Sequence, residues 1–316
     1  MEVKKNILVL GGFGFIGSNI IEALLCTNLF NIIVFEFKGV KSKFADHVKV
    51  FHGDFNSEED LAEVFNNNKI DIVLHLITTT VPATSNDNIE YDVISNLVGT
   101  VRLLNTMVQH NALKVVFLSS GGTVYGAVNE SKASEDHSTY PISSHGIVKL
   151  SIEKYLYLYH RLHNLDYLIL RVSNPYGPYH NSEKQGFIDV VIKKILRNEK
   201  IVICGDGTIV RDYIYVKDLA NIIARLLTLN LFNQIINIGS GKGYSINQIL
   251  EYMAENHPDM DIEYKPSRKY DLQRIVLNTK KLNSLDKLTL TDIRKGIKLT
   301  YQWHKAHHEE RKGEIH

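Results

Sequence analysis

The sequence predicts an α/β fold in which a doubly wound parallel-sheet domain is followed by a smaller C-terminal α/β lobe. Short apolar, β-branched runs alternate with helical stretches through the first half, and this alternation weakens after about residue 175. Alternating strands and helices form βαβ units, whose right-handed crossovers place helices on both faces of a parallel sheet. We expect domains at residues 1–175 and 176–316, with parts of 211–240 packing back on the first.

Seven runs are predicted as strands of the sheet. In chain order they are NILVL (6–10), NIIVF (31–35), VKVFHG (48–53), DIVLHL (71–76), VVFLSS (115–120), YLILRV (167–172) and QIINIG (234–239). Between them lie predicted helices such as SNIIEALLCTN and SEEDLAEVFNNN. The latter opens with Ser57, a favoured N-cap residue, followed three positions later by the acidic Asp60.

The second half of the chain shows a less regular alternation of strand and helix patterns. NPYGPYHNSEKQG is rich in turn residues, and the helix-like FIDVVIKKILRN follows it. Neither a repeat nor a low-complexity linker separates the halves, so we expect a close cleft between them. The charged tail HKAHHEERKGEIH contains His304, His307 and His308, and is expected to be a solvated, frayed terminus instead of a metal site.

Composition narrows the classes of function. The chain has 36 basic and 35 acidic residues and a formal charge of +1, so no global field favours nucleic acid or an anionic membrane. Cys26 and Cys204 lack metal-ligand spacing, and no apolar run approaches the roughly 18 residues of a membrane span. We expect a cytoplasmic protein with no metal, no nucleic-acid partner and no membrane partner.

A glycine-rich loop follows the first predicted strand and leads into a helix. Gly11, Gly14 and Gly17 recur at three-residue spacing in VLGGFGFIGSNI. Such glycines allow a tight turn and close backbone approach, so the helix amides can hold a pyrophosphate. Glu36 ends the second strand, where a carboxylate accepts from ribose hydroxyls and repels a 2′-phosphate. This favours NAD over NADP, although the nearby Lys38 is a cation that a phosphate could use.

The ordered motifs of almost the whole chain resemble the extended short-chain dehydrogenase/reductase family, particularly its nucleotide-sugar 4-epimerases. They are the glycine loop, HGDF, DIVLHLITT, SNLVGTVRLLN, LSSGGTVYG, LRVSNPYGP, GDGTIVRDYIYVKDLA and PSRKYDLQRIVLNTKKL. The resemblance implies a Rossmann domain that binds NAD and a second lobe that binds a nucleotide sugar, with UDP inferred from the resemblance alone.

The same resemblance implies the binding residues. For the cofactor they are Gly11, Gly14, Phe15, Ile16, Gly17, Glu36, Asp54, Phe55, Leu76, Asn96, Ser119 and Lys149, with Asp54 and Phe55 at the adenine. For the substrate they are Asn174, Arg211, Arg268 and Asp271. Two arginines suit a diphosphate because guanidinium groups donate in bidentate pairs and remain charged.

Two catalytic positions depart from the family pattern. The Ser or Thr four residues before the tyrosine of VYG is Gly121 here, and Thr123 is the nearest hydroxyl, with Ser120 before the glycine. The tyrosine of the YxxxK pair is His145, one helical turn before Lys149. Tyr140, Tyr176 and Tyr125 are other phenols near these motifs. Of these, the first two are candidates to enter the site, and the VYG tyrosine is expected to be structural.

Histidine at position 145 is chemically workable. Residues i and i+4 share a helix face, so Lys149 would reach the cofactor ribose and tune its neighbour. Imidazole is already a neutral base at pH 7, whereas a phenol has a pKa of about 10. Reach is the difficulty, because imidazole ends roughly 2 Å short of a phenol and a 1 Å misplacement costs about a hundredfold in rate. We assign His145 as acid/base, Lys149 as its support and Thr123 as the hydroxyl donor.

Other functions remain open at this point. The chain could be a catalytically impaired relative that still binds NAD and a nucleotide sugar, or a nucleotide-sugar reductase or dehydrogenase. His145 could also be a mutation that traps a ligand. A dehydratase is disfavoured because GGTVYG lacks the acidic residues it needs. The family resemblance implies a homodimer through the helices ISNLVGTVRLLNTMVQ and GIVKLSIEKYLYLYHRL, and the second of these has two apolar faces.

Overall fold

The computed structural model describes residues 4–128, 130–267, 272–285 and 289–313. Its strands are β1 Lys5–Leu10, β2 Phe30–Glu36, β3 Lys49–His52, β4 Ile72–His75, β5 Lys114–Ser120, β6 Asp166–Val172, β7 Asn174–Tyr176, β8 Ile201–Cys204, β9 Val210–Tyr215, β10 Gln234–Ile238, β11 Gly243–Ser245, β12 Ile262–Lys265 and β13 Arg274–Ile275. Its α-helices are α1 Phe15–Thr27, α2 Glu58–Asn66, α3 Ile89–Asp92, α4 Gly99–Gln109, α5 Ser144–His163, α6 Phe187–Arg197, α7 Val216–Leu229, α8 Ile246–Ala254, α9 Lys280–Leu285 and α10 Ile293–Gly313. A π-helical segment, Val93–Val98, joins α3 to α4.

The apolar runs predicted as strands form one large sheet. Within the described residues its order is β10-β6-β5-β4-β1-β2-β3, and each neighbouring pair is parallel. The prediction of a doubly wound parallel sheet is therefore confirmed. The chain winds outward in opposite directions from β1 and from β4. Sheets of this kind bind ligands at that switch, beyond the carboxyl ends of the strands.

Helices cover both faces of the large sheet because each carries apolar residues every three or four positions. On one face, α1 and α7 bury Ile20, Leu24 and Ile223. On the other, α4 and α5 bury Leu103 and Leu156. Burial of each such side chain is worth about 1.5–3 kcal/mol. The sheet is therefore held rigidly, and the loops at its carboxyl edge have a firm base.

The predicted N-cap at Ser57 is present. Its Oγ accepts a hydrogen bond from the amide of Asp60 at 3.1 Å and so satisfies one of the free amides at the start of α2. Three acidic residues, Glu58, Glu59 and Asp60, occupy the first turn, where they interact favourably with the positive end of the helix dipole. The local sequence signal therefore fixes where this helix begins.

A second group of elements forms the smaller lobe. β8 pairs with β12, β9 pairs with β7, β11 and β13, and helices α6, α8 and α10 enclose an apolar core that includes Ile192, Ile249 and Ile297. The chain then returns to the large sheet, since α7 packs against α1 and β10 pairs with β6. The division at residue 175 stays a prediction.

The expectation of a frayed tail was wrong for residues 304–308. Helix α10 continues through them, and His304 is buried with its Nε2 2.9 Å from Oδ1 of the buried Asp189 on α6. A dense run of charged residues concealed a single inward-facing line that includes Ile293, Ile297 and His304. One buried contact per turn is enough to hold a helix whose other faces are polar.

Within the described residues, no cluster of histidine, cysteine, aspartate and glutamate side chains is arranged to hold a metal ion. Among the helices of that same part of the chain, none has the length and apolarity needed to cross a membrane. Cys26 and Cys204 are both free thiols.

Candidate active site

A cleft of about 970 Å³ opens at the carboxyl edge of the large sheet and continues against the smaller lobe. Predicted site residues that line it are Gly11, Gly14, Phe15, Ile16, Gly17, Glu36, Leu76, Ser119, Thr123, His145, Lys149, Asn174 and Arg211. Its volume lies near the upper end of the range of about 300–1,000 Å³ for small-molecule sites. One continuous space therefore joins the predicted cofactor loop to the predicted substrate residues.

The glycine loop forms a cradle that side chains would fill. Gly11 has φ +75°, a conformation that favours glycine, and a Cβ on Gly17 would lie 2.5 Å from the carbonyl oxygen of Gly11. Gly14 is the N-cap of α1 and provides no side-chain hydrogen bond to the helix amides. These amides and the positive helix end suit the pyrophosphate of a dinucleotide.

Glu36 is held at the end of β2 by two backbone amides. Its Oε2 accepts from the amide of Phe13 at 3.0 Å, and its Oε1 accepts from the amide of Phe37 at 3.1 Å. The carboxylate therefore links the glycine loop to the second strand, and Glu36 also lines the cleft. In this position it can accept from the hydroxyls of a ribose.

Three residues implied by the family resemblance do not line the cleft. Asp54 is exposed and accepts from the amide of Asn56, whereas Phe55 is buried in the core with its ring 5.2 Å from that of His75. Asn96 is buried, and its Oδ1 accepts from the amide of Thr79 at 2.9 Å. Asn96 thus supports the loop after β4, next to cleft residues, without facing the cleft itself.

Two further cofactor-side residues differ in what their polar atoms do. Leu76 follows β4 and donates its amide to the carbonyl of Leu10 at 3.1 Å, which extends the sheet to the cleft wall. Ser119 lies on β5 with its Oγ 2.5 Å from Oε1 of Glu153. Glu153 also forms a buried ion pair with Arg171 at 2.7 Å. The hydroxyl of Ser119 is therefore committed to an internal network.

Helix α5 presents His145 and Lys149 to the cleft from successive turns. The helix is capped by Ser143, whose Oγ accepts from the amide of Gly146 at 3.2 Å. A Cβ on Gly146 would lie 2.8 Å from the carbonyl oxygen of Thr123, so only glycine lets α5 approach the turn after β5 this closely. The two predicted catalytic segments therefore touch.

Lys149 is buried beneath the cleft with a defined hydrogen bond. Its Nζ donates to the carbonyl of Leu118 at 2.9 Å and lies 4.7 Å from the centroid of the Phe117 ring. Burial lowers the pKa of Lys149 to about 8, although the carboxylates of Asp92 and Glu153 partly oppose this shift. At neutral pH this lysine is still mainly protonated.

His145 is only 7% exposed, and within the described residues its ring nitrogens have no hydrogen-bond partner. Burial lowers its pKa to about 4, and the positive charge of Lys149 adds to this effect, while Asp92 opposes it. The imidazole is therefore neutral at pH 7 and keeps one nitrogen able to accept a proton. A substrate hydroxyl is the kind of group that could satisfy it.

The hydroxyl of Thr123, predicted to donate a hydrogen bond to the substrate, is buried. Its Oγ1 is buried without a hydrogen-bond partner, although the residue contributes to the cleft wall. Ser120, at the end of β5, is half-buried and also lines the cleft. Its Oγ and the Oδ1 of Asn174 both lie 3.9 Å from the Cβ position of Gly122. The structure therefore favours Ser120, which the sequence reasoning placed second.

Gly121 has a packing role. A Cβ at this position would lie 2.6 Å from Cδ1 of Leu277, a fully buried side chain, and 3.1 Å from the carbonyl oxygen of Arg171. A serine at the family position would therefore collide with the core here. Packing beneath the turn after β5 therefore explains why position 121 carries no hydroxyl side chain.

No other tyrosine takes the place of the missing phenol among those considered. Tyr140 is 75% exposed, and Tyr125 donates to Oδ1 of Asn237 at 2.6 Å in the interior, as expected of a structural residue. Tyr176 lines the cleft, yet its hydroxyl points to α10, 2.0 Å from the Cβ position of Gly296. Burial raises the pKa of Tyr176, so it stays neutral.

On the substrate side, Asn174 and Arg211 line the cleft from β7 and β9. Asn174 donates its Nδ2 to the carbonyl of Asp212 at 2.9 Å, which ties the two strands together. Arg211 donates from Nη1 to the carbonyl of Val210 at 2.9 Å. Arg268 and Asp271 lie outside the described residues, so the second predicted diphosphate arginine stays a prediction.

Comparison with known proteins gives consistent matches over nearly the full length. The model of the NAD dependent epimerase/dehydratase family matches residues 7–239. A putative UDP-glucose 4-epimerase of Methanocaldococcus jannaschii is 35% identical over 303 residues, which is 95% of this chain and 98% of that protein.

Two solved structures share the fold closely. The UDP-glucose 4-epimerase of Thermotoga maritima, with UDP-glucose, has a TM-score of 0.89 at 30% identity and covers 96% of this chain and 99% of its own. The UDP-glucose 4-epimerase of Thermus thermophilus, in complex with NAD, has a TM-score of 0.87 at 30% identity, with coverage of 94% and 98%.

Proposed function

The chain belongs to the NAD dependent epimerase/dehydratase family, and from this premise we propose that it is a nucleotide-sugar 4-epimerase. Its substrate would be a UDP-linked hexose or N-acetylhexosamine, and its cofactor NAD. The observation that carries the proposal is the continuous cleft that joins the glycine loop, the His145–Lys149 face of α5 and the smaller lobe.

The residues of the cofactor half fit a dinucleotide. Gly11, Gly14 and Gly17 leave room for a pyrophosphate at the start of α1, and Glu36 offers a carboxylate to a ribose. Bound NAD would supply a hydride acceptor for C4 of the sugar and then a donor to the opposite face of the 4-keto sugar. Over the full cycle, no net oxidation of the sugar occurs.

His145 would act as the acid/base. Its neutral imidazole accepts the proton of the 4-hydroxyl as the C4–H bond breaks, and returns that proton when the alcohol re-forms. The lowered pKa keeps the base form available at neutral pH, and it also makes the protonated form a strong acid. The second half of the cycle, in which a proton must be donated, therefore benefits from the same burial.

Lys149 and Ser120 would support this transfer. The ammonium group of Lys149, fixed on the carbonyl of Leu118, stabilises negative charge that develops on the sugar oxygen. The hydroxyl of Ser120 donates a hydrogen bond to the same oxygen. Thr123, our first choice from the sequence, would instead support the turn that carries Ser120.

Arg211 and Asn174 would bind the nucleotide-sugar side. Their strands, β9 and β7, are paired to each other, so both side chains are presented from one rigid piece of the smaller lobe. A guanidinium group can donate to a phosphate in bidentate fashion. Arg268 and Asp271 would complete this half of the site.

A catalytically impaired relative that binds the same ligands is the second candidate. The observation that favours it is the unpartnered, buried imidazole of His145, whose low pKa makes it a weak base. A weak base slows the first proton transfer, so binding without useful turnover is a specific alternative and has its own experimental outcome.

The decisive assay incubates the purified protein and NAD with UDP-glucose, UDP-N-acetylglucosamine and their galacto epimers. We expect one pair to be interconverted, with a loss of about a hundredfold or more in His145→Ala while NAD and UDP-sugar binding persist. His145→Tyr is the matched variant. Binding without conversion by the natural protein, together with turnover restored by tyrosine, would establish the impaired relative instead.

A homodimer accompanies this proposal. Ile147, Tyr155, Leu158 and Leu162 are 38–64% exposed and follow one another at helical spacing along the outer face of α5. Ile94 is 48% exposed on the neighbouring π-helical segment. An apolar stripe of this length suits burial against a second copy of the chain. We also propose a cytoplasmic location and a division into two domains at residue 175, both from the sequence pattern.

A further inference from the structure

A second, smaller cavity of about 290 Å³ lies outside the cleft. It is enclosed by the start of α1, the segment 41–44 after β2, the segment 179–183, and helices α6 and α10. Of the residues that line it, only Asn181 also lines the cleft. The proposed epimerase reaction makes no use of this space, which we term the basic aromatic pocket.

The charge of the pocket is strongly one-sided. Lys41, Lys43, Lys193 and Arg197 line it, against one carboxylate, Glu183. The carboxylate of Glu183 is paired, because Arg197 donates to both of its oxygens at 2.9 Å. The Nζ of Lys193 also lies 3.6 Å from its Oε1. Within the part of the chain that the structure describes, neither Lys41 nor Lys43 forms an ion pair. A side-chain hydrogen bond with Tyr179 raises the pKa of Lys43, so this ammonium group stays charged, and neither lysine is neutralised by a carboxylate.

Aromatic rings form the other wall. The ring of Tyr179 lies between those of Phe44 and Trp303, at centroid distances of 6.0 Å and 5.4 Å. Trp303 also stacks on His307 at 3.9 Å. Tyr179 has φ +69°, an uncommon conformation for a bulky residue, and this conformation holds its ring in the pocket. Strained residues of this kind cluster at ligand sites.

Lys43 lies against two of the aromatic rings. The Nζ of Lys43 lies 5.0 Å from the centroid of the Tyr179 ring and 5.1 Å from that of Phe44. A ligand that fills the pocket would therefore contact a flat apolar surface and an ammonium group together. Inorganic anions use only the ammonium group, whereas a nucleotide uses both, because its base stacks on rings and its phosphate pairs with cations.

We propose that the basic aromatic pocket binds a nucleoside monophosphate, with the base among Phe44, Tyr179 and Trp303 and the phosphate on Lys41 and Lys43. The volume suits this class, because 290 Å³ is at the lower end of small-molecule sites and too small for a dinucleotide. The pocket adjoins the cofactor loop through Phe13, whose amide donates to Glu36.

The chain has one tryptophan, Trp303, so its fluorescence reports directly on the pocket. The experiment titrates AMP into the full-length protein saturated with NAD, with excitation of the tryptophan at the red edge of its absorption. We expect a saturable change in Trp303 emission with one AMP per chain. Adenosine and ribose 5-phosphate should bind at least about tenfold more weakly, because each lacks one half of the recognition.

Matched lysine variants locate the phosphate. Lys41→Ala and Lys43→Ala should each weaken AMP binding by about tenfold, as expected for loss of a charge-assisted contact. Lys49→Ala is the control, because the Nζ of Lys49 also lies 5.1 Å from an aromatic ring, that of Phe51, outside the pocket. Thermal unfolding of all three variants verifies that they fold.

Three outcomes would overturn the proposal. The first is the absence of any saturable Trp303 response to AMP. The second is a response that occurs only in the NAD-free protein and is reversed by added NAD, which would assign the pocket to the cofactor site. The third is equal binding of inorganic pyrophosphate and AMP. None of these measurements depends on turnover. The pocket and the proposed epimerase activity therefore stand or fall separately.

Discussion

The proposed acid/base residue shows how burial and a neighbouring charge together shift the pKa of a side chain. His145 carries an imidazole where the family pattern has a phenol, and burial beside Lys149 lowers its pKa to about 4. A phenol in the same place would need its pKa lowered to act at neutral pH, whereas the imidazole needs only to remain neutral. The histidine therefore supplies a base at neutral pH without further help, but this base is weak and its ring ends closer to the backbone than a phenol would.

The pH dependence of the rate follows from the pKa values of His145 and Lys149. We expect kcat/KM to rise through about pH 4, as His145 becomes neutral, and to fall through about pH 8, as Lys149 loses its proton. Lys149→Met should abolish the upper limb. It should also move the lower limb upward, because the charge that lowers the pKa of His145 is gone. Initial rates from pH 3 to 10 test this, and a lower limb near 6.5 in the natural protein would contradict it.

The two hydroxyls beside the cleft should respond differently to mutation. Ser120→Ala is expected to lower kcat/KM by about a hundredfold, as loss of a donor to a developing oxyanion does. Thr123→Val should stay within about threefold, because it removes a buried Oγ1 that has no partner and keeps the shape. A reversed order of the two variants would return the donor role to Thr123.

What the sequence could foretell at single positions depended on how local the cause was. The cap at Ser57 and the place of Glu36 at a strand end follow from adjacent residues, and both are present. The absence of a hydroxyl at position 121 depends on the contact of Gly121 with Leu277, more than 150 residues away in the chain, and no local pattern encodes it. The ring of Phe55 packs on His75 in the core, and the predicted adenine contact of Phe55 stays a prediction.

Helix α10 illustrates how an element is fixed by a few inward contacts. Gly296 allows it to lie against the smaller lobe, because a Cβ there would be 2.0 Å from the hydroxyl oxygen of Tyr176. About two helical turns further along α10, His304 contacts the buried carboxylate of Asp189. This carboxylate also accepts a hydrogen bond from the amide of Gly177. These contacts explain why a charge-dense sequence forms an ordered helix here, and why composition alone predicted the opposite.

Gly296→Ala should therefore weaken the docking of α10. We expect a loss of about 1–3 kcal/mol in the free energy of unfolding, the usual cost of forcing extra volume into a packed contact, despite the better helix propensity of alanine. Urea unfolding followed by Trp303 fluorescence measures it. Lys305→Ala, at an exposed position of the same helix, is the control and should change stability by less than about 0.5 kcal/mol. An unchanged midpoint for Gly296→Ala would contradict the packing described.

For the molecule as a whole, the alternation of strand and helix patterns predicted the sheet and its parallel direction, because βαβ chirality leaves few alternatives. The weaker alternation after about residue 175 predicted the second lobe. Neither pattern could place the basic aromatic pocket. Its walls come from segments of the chain as distant as Lys43, Tyr179 and Trp303, and only the folded structure brings them together.

The proposed dimer gives a prediction at the level of the assembly. Leu158→Glu with Leu162→Glu places two charges on the apolar stripe of α5 and should convert a dimer to a monomer in light scattering coupled to size exclusion. Lys305→Glu, at an exposed position of α10 and so outside the stripe, is the charge control. Both variants should fold, because these side chains are exposed in the single chain. A natural protein that elutes as a monomer would remove the dimer from the proposal.

The late return of the chain to the large sheet has a practical consequence. β10 pairs with β6 only after the chain has built β7, β8 and β9 of the smaller lobe. A fragment that stops at residue 175 would leave the outer edge of β6 without a partner, and α1 without the cover of α7. Bare edges of this kind recruit other chains. The sheet domain should therefore aggregate when it is expressed alone, and remain soluble when co-expressed with the segment that ends in β10.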